Sequence, residues 1–120
     1  MESSLFFIGL TFILVHEMDA IKRREWLIFP LTSRLDEKSG YYIFTALHIP
    51  LYLLLFWGLY RGNGLDQGVM TGLSIFFVVH FFLHLFYLKH PKNEFTGLFS
   101  WILILGAGLA GFLHLLIWVH

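Results

Sequence analysis

Long apolar runs alternate along the chain with short polar breaks. Apolar residues fill Leu5–Ile21, Tyr41–Tyr60, Gly68–Leu88 and Gly97–Val119, and most charged residues gather between them. Each run is close to the ~20 residues that a helix needs to cross the hydrocarbon core of a bilayer. In lipid the backbone must satisfy its own hydrogen bonds, and an uninterrupted run does so as a helix. The pattern predicts an all-α membrane protein, a four-transmembrane-helix bundle forming a single membrane domain over residues 1–120. The breaks Arg61–Asp66 and His90–Glu94 are tight, so helices two, three and four are expected to be antiparallel neighbours, with Asp66 capping the third. The first break, 22–40, is longer, and its apolar middle Trp26–Leu31 suits an interfacial loop lying at the headgroups. In the fourth run, Gly106 with Ala110 and Ala107 with Gly111 give small-residue spacings that predict a close helix-packing face.

Composition sharpens this picture. The chain is 58% hydrophobic and 13% charged, against about 25% charge in a soluble domain. No soluble domain fits into what remains. Cysteine is absent, which removes disulfides and thiolate metal sites. A formal net charge of zero argues against a nucleic-acid partner. The N-terminus MESSLFF has a glutamate where a secretory signal would have lysines, and its apolar run ends in His-Glu rather than small residues, so a retained first helix is expected rather than a cleaved signal. Lys22, Arg23, Arg24, Arg34, Lys38, Lys89 and Lys92 fall in the first and third breaks, against Arg61 alone in the second. The positive-inside rule then sets both those loops in the cytoplasm, an N-out/C-out arrangement.

The candidate chemistry lies at one depth. Counting from the inner interface at ~1.5 Å per residue, His16, His48, His84 and His80 fall roughly 9, 10, 8 and 13 Å in. Three helices thus deliver four histidines to one layer in the cytoplasmic half. His80 and His84 are four residues apart and project from one helix face, and Asp19 shares a face with His16. Pro50, two residues after His48, is expected to bend the second helix beside that ring. Thr45 and Tyr52 share the face of His48 and are candidate supporting partners. The candidate metal ligands are therefore His16, Asp19, His48, His80 and His84. Imidazoles with one carboxylate suit zinc or iron, and copper by ligand type, but not magnesium or calcium. Haem between two facing histidines, such as His48 and His84, is the weaker alternative, because it leaves His16, Asp19 and His80 unexplained. Glu17, and Glu94 if it folds back from the third loop, are the candidate general bases. A plainer reading pairs Asp19 with Arg23 one turn on, and takes Glu17 to water or the basic cluster. His114, near the outer face, and the terminal His120 are not expected to belong to this histidine layer.

The segments HEMDA…REW, ALHIPL, HFFLH…HPKNEF and SWILILGAGLAG together resemble a family of small bacterial four-helix membrane proteins, a domain of unknown function. The segments carrying the resemblance include His16, Glu17, Asp19, Glu25, Trp26, His48, His80, His84, Asn93, Glu94 and Phe95. The resemblance implies the fold and a multi-pass location in a bacterial inner membrane, and brings no substrate, cofactor or catalytic residue.

Three function classes follow. The first is an intramembrane metalloenzyme acting on a lipid-like substrate that enters sideways from the surrounding membrane lipids. The second is a metal-free membrane module that binds a ligand or proton through buried His and Asp. The third is a structural accessory subunit whose polar residues set helix register.

Overall fold

A computed structural model describes residues 2–119, with side-chain surroundings described for 3–118; His120, singled out above, lies outside them. The helices are α1 (Glu2–Lys22), α2 (Glu37–Leu59), α3 (Gln67–Phe86) and α4 (Leu98–Val119). All four are long and apolar enough to cross a membrane. The all-α, four-helix expectation holds, with α2 starting four residues earlier than its apolar run because Asp36 caps it, accepting from the Ser39 amide. Asp66 caps α3 in the same way, at 2.9 Å from the Val69 amide. Between α2 and α3, Tyr60–Arg61 (β1) and Gly64–Leu65 (β2) pair antiparallel around Gly62, whose φ of 66° suits a residue without Cβ.

The centre of the molecule is α4, which lies between α1 and α3. Small residues allow this. A Cβ at Gly106 would press on the Phe12 ring of α1 at 2.8 Å, and one at Gly111 would meet the Ser74 carbonyl of α3 at 2.8 Å. Ala107 and Ala110 are buried between them. The expected small-residue face is therefore used on two sides at once. Phe6 meets His114, and Asp19 meets Ser100, so α1 and α4 run antiparallel. The apolar core divides into a cluster around Phe6, Leu10, Ile13 and Phe77 and a second around Ala20, Ile28, Phe95 and Ile104.

Helix α2 is held differently. Its buried residues are Gly40 near one end and Gly58 and Leu59 at the other. Most of its length turns large apolar side chains outward, among them Leu47, Leu53, Leu54 and Trp57. At Gly40 the backbone lies so close to the Trp26 indole that a Cβ there would overlap it.

The connection from α1 to α2 is not wholly peripheral. Arg24 adopts a left-handed conformation, φ 50° and ψ 54°, which costs a non-glycine residue roughly 1–2 kcal/mol. The chain doubles back there into a 3-10 turn, Glu25–Leu27. That reversal buries Glu25, Trp26 and Ile28 inside the protein, while Leu31 remains outside at 97% exposure.

Candidate metal centre

His16 comes from the middle of α1, and His80 and His84 from one face of α3, one turn apart. Their rings meet edge to face, with centroids 4.7 Å apart for His16–His80, 4.9 Å for His16–His84 and 4.6 Å for His80–His84. Phe95, from the connection before α4, caps the group, its ring 4.6 Å from His84 and 5.4 Å from His16.

The fourth member is Glu25, brought in by the reversal at Arg24. One ligand atom from each of His16, Glu25, His80 and His84 lies within 4.8 Å of all the others, and all four residues are buried. Their polar atoms are poorly satisfied. Among the described residues, both nitrogens of His16, both of His80 and Glu25 Oε2 have no hydrogen-bond partner. His16 Nε2 and Glu25 Oε2 come within 3.3 Å but lack hydrogen-bond geometry. A buried polar atom without a partner costs about 1–3 kcal/mol, so five such atoms in one place require an explanation. Burial pushes the Glu25 carboxyl above the ordinary carboxylate range, against the pull of His16 beside it.

The remaining sequence candidates sit elsewhere. Asp19 turns toward α4, where the Ser100 hydroxyl donates to its Oδ2 at 2.6 Å, and Arg23 approaches Oδ1 at 3.4 Å. Its carboxylate is thus already engaged. His48 is separated from the other three histidines because α2 stands off the bundle. Its Nε2 meets Glu17 Oε2 at 2.6 Å, and its Nδ1 is 2.6 Å from the Phe44 carbonyl. Glu94 does not reach the histidines: it pairs with Arg24 at 2.7 Å, holding the guanidinium pKa up and bracing the strained residue that turns the chain. His114 is 2.8 Å from the Ser74 hydroxyl at the opposite end of the bundle, a buried pair apart from the cluster.

Helical spacing could not find Glu25. Nine residues after His16, it would stand more than two turns away on a continuing helix. The one available signal was the apolar Trp26–Ile28 that follows it, since burying those side chains requires the chain to turn inward.

The chain belongs to DUF6713, a family of unknown function, whose model matches residues 2–120. No curated protein and no solved structure matches the chain.

Proposed function

We propose that this is a membrane-embedded metalloprotein of a bacterial inner membrane, N-out/C-out, in which His16, His80, His84 and Glu25 hold one zinc or iron ion. The ion serves an intramembrane enzyme acting on a lipid-like substrate. The observation that carries the metal is the convergence of four buried ligand groups, with five buried polar atoms of His16, His80 and Glu25 that have no hydrogen-bond partner among the described residues. Three imidazoles and a carboxylate are a donor set for zinc or iron. An ion takes one nitrogen per ring, and the N–H groups left over on His16 and His80 call for water within the site. Ring centroids 4.6–4.9 Å apart leave no room for a haem macrocycle between any two of His16, His80 and His84. His48, the other ring of the haem alternative, has both nitrogens engaged, by Glu17 and the Phe44 carbonyl.

Such an ion supplies a Lewis acid or a redox centre. The chain contributes the proton acceptor. Glu17 follows His16 directly, faces the space between α1 and α2, and shares a proton with His48. In this reading Glu94 acts at one remove, by bracing Arg24 and with it the turn that delivers Glu25.

Elemental analysis of detergent-purified protein tests the proposal. About one zinc or iron per chain is expected, lost in His80→Ala and His84→Ala variants that remain folded. No stoichiometric transition metal, even after incubation with either ion, overturns it. That result would favour a buried polar pocket without metal, in which His16 Nε2 and Glu25 Oε2 stand 3.3 Å apart.

A further inference from the structure

Helices α1 and α2 separate in the middle of α2 and leave a crevice between them. One part, about 280 Å³, is lined by Glu17, Thr45, His48 and Tyr52 with apolar neighbours. A second part, about 240 Å³, also touches Glu17 and Tyr52 and continues between apolar residues such as Leu14, Leu55 and Phe76. The two parts adjoin at Glu17 and Tyr52, which line both, so a polar end and an apolar arm lie side by side between the helices. Met18, Ile49 and Leu51, at 71%, 65% and 52% exposure, stand at its side openings. Phe76, in the apolar arm, also contacts His80, with centroids 5.6 Å apart.

The proton inventory of the polar end limits what it can receive. The Phe44 carbonyl only accepts, so His48 Nδ1 carries a hydrogen. The contact of His48 Nε2 with Glu17 then holds one proton, on either partner. In both cases the pair has no net charge, so it does not select an ionic headgroup. Glu17 Oε1 remains free to accept. Close by, the Thr45 hydroxyl oxygen is buried and has no hydrogen-bond partner among the described residues. A carbonyl head would satisfy only Thr45. A hydroxyl head donates to Glu17 and accepts from Thr45 together.

We propose that this crevice binds an uncharged lipid alcohol, with its hydroxyl between Glu17 and Thr45 and its chain in the apolar arm toward Phe76. The proposal deepens the substrate class given above. It rests on that reading only in taking the helices to lie in lipid, and it is independent of the metal.

The test uses hexadecanol carrying a diazirine in its chain, photolysed with the purified full-length protein, and labelled peptides are mapped by mass spectrometry. Metal content is measured on the same samples, so failure of the metal reading and failure of this one are separate results. Labelling is expected on the segments containing Met18 and Ile49–Leu51. Unlabelled hexadecanol should compete at concentrations at least about tenfold lower than hexadecanoate or hexadecyltrimethylammonium, given the loss when a buried polar partner is left unpaired. Thr45→Val, close to isosteric and expected to fold, should weaken labelling about five- to tenfold. The proposal is overturned if the charged chains compete equally, if label spreads evenly over the exposed face of α4, or if Thr45→Val binds as the parent does.

Discussion

His16 and Glu17 are consecutive residues with opposite circumstances. His16 faces the tightly packed trio of α1, α3 and α4, is fully buried, and has two nitrogens without partners. Glu17 faces the loosely held α2, is part-exposed, and has its partner at 2.6 Å. One residue along a helix is about 100° of rotation, and here that rotation separates a site that lacks something from one already paired. The difference suggests two roles: the inner face is built to hold an ion, and the outer face to meet what comes from the surroundings.

The largest effect should separate the two faces directly. His84→Ala removes a proposed ligand from the inner face and is expected to lower metal affinity by at least ~100-fold, the upper range already seen when only an outer hydrogen-bond partner is lost. His48→Ala on the outer face should leave metal content near that of the parent, read by elemental analysis. Equal loss in both variants would remove the distinction. The loaded parent should also be more stable to heat than its chelated form, by about 3–4 kcal/mol where free metal exceeds Kd by 100- to 1,000-fold.

Packing gives the next effect. Gly111→Ala drives a methyl group toward the Ser74 carbonyl and the Phe77 side chain, and should cost roughly 1–3 kcal/mol in a denaturant titration in detergent. Leu54→Ala on α2, where the side chain is 62% exposed, should stay within about 0.5 kcal/mol. If the two costs are alike, α2 packs as the trio does.

Gly40→Ala links the regions. The added Cβ overlaps the Trp26 indole beside Glu25, so the turn must shift. A roughly tenfold weaker metal affinity in a folded protein is expected, on the scale of losing a supporting contact to a ligand. Unchanged affinity would uncouple the turn from the site.

The smallest effect concerns pH. Burial raises the folded-state pKa of Glu25 above its unfolded value. A carboxyl raised in this way stabilises the metal-free fold fully below the unfolded value, and that contribution is lost as pH rises through the folded value. Metal binding needs the carboxylate, so the loaded form should gain affinity over the same rise. Thermal midpoints of the two forms, followed upward from acid pH, should diverge; parallel curves would remove Glu25 from the ligand set.

Much of this was legible in the chain because helical rise is nearly constant. Depth counting set His16, His80 and His84 in one layer, where their rings lie 4.6–4.9 Å apart, and the spacing of Gly106, Ala107, Ala110 and Gly111 announced the crowded face of α4. Depth does not determine rotation or distance from the axis. Asp19 lies at a suitable depth but is turned to Ser100 by the close approach of α4. His48 is level with the others but stands off on α2. Glu25 depends on a left-handed arginine, a conformation that L residues seldom adopt and that no periodicity announces.

The central claim is a single ion held by three imidazoles and one carboxylate, and X-ray absorption at the metal edge of the purified protein addresses it most directly. The expected spectrum is that of zinc or iron with histidine-type scattering from three rings and, for zinc, nitrogen and oxygen neighbours at about 2.0–2.2 Å. Fewer than three imidazoles around the metal, or no zinc or iron edge in metal-replete protein, would contradict it.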